Sequence, residues 1–459
     1  MSNQSTQTLT LTQEQNKAFY QKVFALVIPM ALQNLINVGV TAADTIMLGK
    51  ISETVLSGAS LAGQIQFILT LIFFGLTSGA SVLTAQYWGK RDTKKIEQIL
   101  MLTIDVALII SLIFTLSALF IPGALMHIYT SDPAVIEAGI VYLRITSVSY
   151  LMMSITMVYL NVMKSVERVV ISTIVYTLSL FINIGINAVL IFGLLGFPKL
   201  GIMGAAIGTL IARTFELVLV FIYAYKINKT IRIRIYHMFH IEKTLFKDFV
   251  VYSVPVLLNE LLWGVGASAN SAIIGHLSTS AAAANSVAQV CRQLATVVTF
   301  GVSGATAIFL GKTIGEHKFE LAKIYSKKFI KLALLTGTIG GTLIFLSRPI
   351  VLSVMNFSVE TANYLTVMLF VMFYFSIAQA FSCTLIVGIF RAGGDTKYGL
   401  FCDVGAMWGF SILFGFLAAF VFKWDIRLVY IILMSDEIIK IPIAVRRYKS
   451  MKWLKDVTR

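Results

Sequence analysis

The sequence predicts an all-α integral membrane protein, with twelve transmembrane helices arranged as two homologous six-helix lobes around a central cavity. Three observations support this fold class. The chain of 459 residues is 57% hydrophobic and 13% charged, whereas a soluble domain carries about 25% charge. Its apolar residues fall into twelve long runs, and much of the first half of the chain recurs in the second half. The charge deficit extends along the whole chain, which is typical of a membrane protein.

The apolar runs have the length of membrane-spanning helices. A bilayer core of about 30 Å requires about 20 residues in a helix, and helices avoid the unpaired edges that open sheets would expose to lipid. Residues 1–16 are polar and lack a basic region ahead of a short apolar core, so we expect a retained first span and no cleavable signal peptide. The predicted spans are 18–45, 55–82, 97–121, 135–161, 168–194, 202–225, 247–274, 281–309, 321–346, 360–389, 399–422 and 427–446.

The lysine and arginine residues alternate between the loops as expected for twelve spans. If the N-terminus is cytoplasmic, the inside segments hold 28 of these residues and the outside loops hold five. Short cytoplasmic loops are enriched in lysine and arginine. The distribution therefore predicts a multi-pass protein of the cell membrane, plasma or inner, with both termini in the cytoplasm.

An internal repeat relates the two halves by a shift of 226 residues. Under this shift Pro29 aligns with Pro255, Ser52 with Ser278, and Gly89 with Gly315. Six spans per half is an even number, so the repeats are parallel and pack around an axis along the membrane normal. We therefore predict an N-lobe at 1–225, a basic cytoplasmic linker at 226–247 and a C-lobe at 248–459, with the substrate cavity at the seam between the lobes.

Several function classes are excluded by the absence of their motifs. The net charge of +15 is spread over loops, not concentrated in a basic patch, so we expect no nucleic acid partner. Gly311-Lys312-Thr313 lacks the preceding glycine of a phosphate-binding loop. The five histidines form no metal-binding pair and the three cysteines no CxxC pair. We predict neither an enzyme nor a resident metal or cofactor, and transport must then draw on an ion gradient.

Two carboxylates inside predicted spans are the main ion-coupling candidates, because charges in the membrane are costly and usually functional. Glu260 lies in span seven, where Pro255 removes a helix hydrogen bond and favours a kink. Asp44 lies towards the outer end of span one, beside the hydroxyl of Thr45. The structural alternatives are an ion pair of Glu260 with Arg292 and a helix-end cap by Asp44.

Two further carboxylates are candidates for ion or substrate contact. Asp105 lies in span three, where it could instead pair with Lys94 or Arg213, and Asp403 lies near the cytoplasmic start of span eleven. A local pair is predicted between Arg213 and Glu216 because they are three residues apart on one helix. The other candidate ion or substrate residues are polar or aromatic side chains inside spans: Asn34, Asn37, Asn183, Asn187, Trp263 and Gln289.

Several local motifs resemble the multidrug and toxic compound extrusion (MATE) family. They are the stretch Asp44-Thr45-Ile46-Met47-Leu48-Gly49, the end of span two at Ala85-Gln86-Tyr87-Trp88-Gly89, and the turn Phe390-Arg391-Ala392-Gly393-Gly394-Asp395. The resemblance covers essentially the full chain. It implies two six-helix lobes facing a central cavity, with Na⁺ or H⁺ entering as organic cations leave.

The resemblance also implies coupling acids at Asp44 and in span seven at Glu260. Two departures leave the choice of ion open. Better-known members carry the span-seven acid about one turn deeper, where this chain has Trp263, and the segment 379–387 of span ten contains no carboxylate.

The sequence therefore predicts an antiporter that is driven by Na⁺ or H⁺ and exports organic cations or drugs. The expected surroundings are a lipid bilayer, and the expected state is a monomer. A flippase for lipid-linked oligosaccharides, which shares the two-lobe plan, is the alternative. A flippase cavity should be cationic to hold pyrophosphate, whereas the acids inside these spans are at least as numerous as the bases. A membrane receptor or intramembrane enzyme is disfavoured by the repeat and by the absence of catalytic motifs.

Overall fold

The computed structural model describes residues 12–234, 236, 242–354 and 358–458, and these residues form helices and turns without strands. Eight helices, α1 to α8, precede Ser278, and seven, α9 to α15, follow it. The first eight are α1 Gln13–Gly49, α2 Glu53–Gly89, α3 Thr93–Phe120, α4 Pro122–His127, α5 Pro133–Ser165, α6 Val169–Phe192, α7 Ile202–Ile222 and α8 Lys243–Leu277. The others are α9 Thr279–Gly315, α10 Phe319–Val354, α11 Val359–Cys383, α12 Thr396–Ala406, α13 Leu413–Phe416, α14 Ile426–Leu433 and α15 Asp436–Lys449.

Some of these helices continue as π-helix, in which hydrogen bonds join residues five apart. Such turns extend α7 over Tyr223–Ile227 and α11 over Thr384–Phe390. In the region that follows α12, they cover Met407–Ile412 and Leu417–Val421, on either side of α13.

Eleven helices in the described part of the chain are long and apolar enough to cross a membrane, and they correspond to the first eleven predicted spans. The twelfth predicted span, 427–446, is divided into α14 and α15 by a break at Met434 and Ser435. Asp436, Glu437 and Lys440 directly follow the break. Hydropathy predicted the span but not the break, because the apolar residues of α14 and Ile438-Ile439 outweigh these charges in an average over the span.

The repeat predicted from the sequence is present in the helices themselves. The bounds of α2, Glu53–Gly89, and those of α9, Thr279–Gly315, are related by the 226-residue shift at both ends. Ser52 and Ser278 each cap the following helix by accepting a backbone N–H hydrogen bond, as serine does at this position. The six-helix repeat therefore has a local structural basis in shared helix starts and stops.

By their internal packing, the described residues form two compact units. One unit is Leu32–Ala269, and the other ends at Ala31 and resumes at Asn270. In this second unit, the start of α1 packs Phe19 against Phe309 and Phe329, with ring centroids 5.4 and 5.3 Å apart. The lobe boundaries predicted from the sequence stay a prediction. Compared with a division of the chain at its linker, the units exchange half-helices: the start of α1 belongs to the unit that resumes at Asn270, and α8 up to Ala269 belongs to the other unit.

The complementary half-helix lies in the unit Leu32–Ala269, where α8 packs against α2. A Cβ atom added to Gly79 of α2 would lie 2.3 Å from the Cα of Ser253, and one added to Gly75 would lie 2.6 Å from the Cα of Leu257. Glycine lacks that atom, so the backbones of α2 and α8 can approach closely. This is the small-residue packing that a Gly-xxx-Gly pair provides in membranes.

Candidate functional site

A cavity of about 610 Å³ lies within the unit Leu32–Ala269. Its walls come from α1, α2, α5, α6 and α7, and they combine charged, amide, hydroxyl and aromatic groups. Binding pockets for small molecules typically have volumes of about 300–1,000 Å³. The polar lining residues are Asn37, Thr41, Asp44, Thr45, Ser60, Gln64, Gln66, Thr70, Tyr142, Tyr176, Ser179, Asn183, Thr209, Arg213 and Glu216.

Asp44 lies in the wall of this cavity and is oriented by α6. The side-chain amide of Asn187 donates to Oδ1 of Asp44 at 2.7 Å, and it also contacts Oδ1 of Asn183 at 3.3 Å. Asn183 and Asn187 lie four residues apart, so they share one face of α6. The helix α1 continues to Gly49, so Asp44 is an interior residue of the helix and the alternative of a helix-end cap is wrong.

The second charged feature of the cavity is the ion pair of Arg213 and Glu216. One guanidinium nitrogen of Arg213 contacts both carboxylate oxygens of Glu216, at 3.0 and 2.9 Å. Ser179 of α6 donates a further hydrogen bond to Glu216 at 2.6 Å. The predicted local pair is therefore confirmed, and the carboxylate of Glu216 is held by two helices.

Apolar and aromatic side chains complete the cavity wall. Phe67 of α2, Met153 and Met157 of α5, and Tyr176 of α6 all line it. Methionine adapts its shape to different neighbours, and aromatic faces attract cations. Such a wall suits flat organic molecules of varied outline.

The other predicted site residues of this unit differ in position. Asn37 and Asn183 line the cavity, and Asn187 supports it through Asp44. Asn34, Glu260 and Trp263 are half-buried and lie outside the described lining. Asp105 is buried within α3, with 2% of its surface exposed.

The remaining predicted residues, Gln289 and Asp403, lie in the unit that resumes at Asn270. Gln289 accepts a hydrogen bond from Nε of Arg292 at 2.8 Å, and Arg292 also approaches Gln379 at 3.5 Å. Asp403 accepts a hydrogen bond from Nζ of Lys440. Both residues are therefore held by partners on other turns or helices.

Three charged residues at this second location were missed by the sequence reasoning. Asp436, Glu437 and Lys440 lie within the predicted twelfth span and are buried, with 5%, 4% and 3% of their surfaces exposed. The signal was available, because charges inside a predicted span are candidates by default. Their partner Asp403 is far away in sequence, so the grouping itself could not be predicted.

Comparison with known sequences places this architecture among related proteins. A sequence profile named MatE matches residues 29–189 and 255–417. The two matched segments begin 226 residues apart, at the prolines that the internal repeat aligns.

Three relatives extend over nearly the full chain. The chain is 23% identical to the uncharacterized transporter YisQ of Bacillus subtilis. The aligned region of 438 residues covers 94% of both proteins. It is 22% identical to the probable multidrug resistance protein YoeA of Bacillus subtilis, over 92% of both. It is 23% identical to the probable multidrug resistance protein NorM of Bacillus cereus, over 90% of this chain and 91% of the relative.

Solved structures share the fold at low sequence identity. A transporter of the MOP superfamily from Pyrococcus furiosus is 18% identical and has a TM-score of 0.84, covering 94% of this chain and 96% of that one. An outward-facing multidrug resistance transporter of the same superfamily is 19% identical and has a TM-score of 0.83, with the same coverage. The similarity covers 94% of this chain in both cases.

Proposed function

The chain belongs to the MatE family of membrane transporters, and from this premise we propose that it is an antiporter that exports organic cations in exchange for Na⁺ or H⁺. The multidrug-resistance names of YoeA and NorM support drugs as cargo. We further propose that the protein acts as a monomer in the cell membrane with both termini in the cytoplasm, and that it needs no cofactor besides the transported ion.

The carboxylate of Asp44 in the cavity wall is the observation that carries this proposal. Its described hydrogen-bond donor is the neutral amide of Asn187, which orients the carboxylate without cancelling its charge. The nearest guanidinium in the lining, that of Arg213, already binds both oxygens of Glu216. Formal charges in the lining therefore sum to one negative unit, and one cation in the cavity would balance it.

Exchange follows from competition for this carboxylate. An incoming proton or Na⁺ on Asp44 removes the charge that attracts an organic cation, so cargo and ion bind alternately. The aromatic faces of Tyr176 and Phe67 add cation–π attraction for the cargo. In this proposal Glu260 acts as a second coupling acid, on the strength of its position within a membrane span after the kink-favouring Pro255.

The flippase alternative fits this cavity poorly. A lipid-linked pyrophosphate carries negative charge and requires a surplus of cationic side chains. The lining instead holds Asp44 and Glu216 against the single cation Arg213.

The test uses purified protein in proteoliposomes loaded with ethidium. A Na⁺ gradient and a pH gradient are imposed separately, and ethidium movement is followed by fluorescence. Movement driven by one gradient supports antiport and identifies the ion. An absence of movement under either gradient would contradict the proposal, and lipid-linked sugars would become the next cargo to test.

Variants assign the coupling residues in the same assay. Asp44→Asn should keep the hydrogen bond to Asn187 while losing the charge, so gradient-driven movement should fall at least tenfold. Glu260→Gln should likewise abolish coupled movement. Asp132→Asn is the matched control, because Asp132 is an exposed helix cap and asparagine caps equally well. Unchanged ion dependence in Asp44→Asn would remove this residue from the mechanism.

A further inference from the structure

A buried ionic array lies in the unit that resumes at Asn270, and it consists of Asp403, Asp436, Glu437 and Lys440. The ammonium group of Lys440 lies at its centre, and 3% of that side chain is exposed. Its nitrogen is hydrogen-bonded to Asp403, lies 3.0 Å from Oε1 of Glu437 and lies 3.7 Å from Oδ2 of Asp436. Three carboxylates therefore share one ammonium group.

The break in the twelfth span creates this arrangement. After Met434 and Ser435 the chain starts a new helix, so Asp436 and Glu437 occupy its first turn. Lys440 follows one turn later on the same face, where residues three and four apart are neighbours. The helix α12 brings Asp403 to Lys440 from the other side, and Cys402 approaches the carbonyl oxygen of Lys440 at 3.7 Å.

The three carboxylates are not equally supported. Glu437 accepts from Lys440 at one oxygen and from the hydroxyl of Ser382 at the other. Asp403 is hydrogen-bonded to the same ammonium group. Asp436 lies beyond hydrogen-bond distance of Lys440, although 93% of its side chain is buried. Its other described support is a backbone hydrogen bond from Glu437. One ammonium group cannot balance three buried carboxylates, and a proton on the most distant of them relieves the excess negative charge.

Two arginines outside the array, Arg292 and Arg391, also lie near its residues. Arg292 of α9 lies within electrostatic range of Asp436 and Glu437, while its described hydrogen bonds go to Gln289 and Gln379. Arg391 lies within electrostatic range of Cys383, as Asp403 and Glu437 also do. Cys383 and Cys402 also lie within electrostatic range of Asp403 and Glu437, and Tyr430 lies within range of Arg292.

A second polar feature of this unit is an unpartnered hydroxyl on the helix that precedes α15. Tyr430 is fully buried on α14, and its hydroxyl makes no hydrogen bond to any residue that the structure describes. The hydroxyl lies within electrostatic range of Arg292. Arg292 is also within electrostatic range of Asp436 and Glu437, so the hydroxyl and the array share this neighbour. Buried hydroxyls are normally hydrogen-bonded, so we expect a water to bind this one. Asp403 keeps 13% of its side chain exposed and is the least buried carboxylate of the array.

We propose that Asp436 binds one exchangeable proton within the buried ionic array, which gives this unit a proton site separate from Asp44. Lys440 holds Asp403 and Glu437 ionised through hydrogen-bond contacts, and the proton neutralises Asp436, the carboxylate farthest from the ammonium group. The use of this proton in transport rests on the proposed function, whereas its binding does not.

The test is infrared absorption of purified protein in the region of protonated carboxyl groups, at neutral pH. Asp436→Asn should lose the absorption of one carboxyl group, and in the wild type this absorption should disappear reversibly as the pH is raised. Asp425→Asn is the matched control, because Asp425 is an exposed cap of the preceding helix α14. Equal absorption in the wild type and Asp436→Asn would overturn the proposal.

A second variant separates proton binding from a purely structural role. Glu437→Gln releases Lys440 towards Asp436, which should then ionise, so the absorption of one carboxyl group should be lost although Asp436 is still present. If the array has only a structural role and Asp436 is already ionised in the wild type, the carboxyl absorption should not change in this variant. If Asp436→Asn does not fold, aspartate labelled with ¹³C in the wild type must shift part of the absorption, and an unshifted band would overturn the proposal.

Transport measurements then show which proposal fails. If the wild type moves no ethidium under either gradient but shows the Asp436 absorption, the proposed function fails and the proton site stands. If transport is driven by a gradient but the absorption is absent, the antiporter stands and the proton site fails.

Discussion

At the scale of single residues, the cavity depends on a few charged groups whose partners lie within the same unit. Arg213 and Glu216 are three residues apart on α7, and Ser179 reaches the same carboxylate from α6. Glu216 keeps 3% of its side chain exposed. Its negative charge is therefore tolerated only because Arg213 stays in place.

Removal of Arg213 should expose this dependence. Arg213→Met leaves Glu216 buried beside the neutral hydroxyl of Ser179, and breaking a buried ion pair from one side costs about 3 kcal/mol. The midpoint of thermal unfolding of the purified protein should fall. Replacing both residues, as Arg213→Met with Glu216→Leu, removes the unpaired charge and should recover most of the loss. A single variant as stable as the wild type would contradict this account.

Residue types in the sequence were sufficient to select Asp44, Asn183 and Asn187, since polar groups inside an apolar run are conspicuous. Their grouping around one cavity was not predictable, because Asp44 and Asn187 are 143 residues apart. The array around Lys440 was missed for a similar reason, since 37 residues separate Lys440 from Asp403. Hydropathy reports whether a side chain is costly in lipid but not which partner offsets the cost.

At the scale of elements, helix positions were the best-predicted feature and helix contacts the worst. Serine caps begin α2 and α9 at equivalent positions, and this signal is local in the sequence. The close approach of α2 to α8 is a property of two distant segments. Gly75 and Gly79 indicated a tight contact, but the sequence did not identify α8 as the partner.

This contact gives a prediction about Gly79. Gly79→Ala places a methyl group 2.3 Å from the Cα of Ser253, and the backbones must separate. Overpacking of this kind costs about 1–3 kcal/mol, so the midpoint of thermal unfolding should fall. Gly63→Ala, in the same helix with no atom within 4 Å of the new methyl group, is the control and should be neutral or stabilising. Equal midpoints for the two variants would show that α2 and α8 do not pack through Gly79.

At the scale of the whole molecule, the charge distribution in the loops predicts the orientation in the membrane. The basic residues concentrate on the side that carries the linker, and lysine and arginine stay preferentially on the cytoplasmic side. Lys50 lies after α1 and Lys229 lies before α8, and both are exposed. They should therefore face opposite sides of the membrane.

Cysteine labelling in intact cells tests this orientation. Cys291, Cys383 and Cys402 are first replaced by alanine, and Lys50→Cys and Lys229→Cys are then introduced separately. An impermeant maleimide should label the Lys50→Cys protein in intact cells and the Lys229→Cys protein only after the cells are opened. The reverse pattern would place both termini outside.

The exchange of half-helices has a consequence for biogenesis. The ribosome delivers the start of α1 first, but Phe309 and Phe329, against which Phe19 packs, are synthesised 290 and 310 residues later. Likewise α2 receives its neighbour from α8 only after the linker has emerged. Neither unit can reach its final packing from a contiguous half of the nascent chain. The start of α1 must therefore wait in the bilayer until α9 and α10 have been inserted.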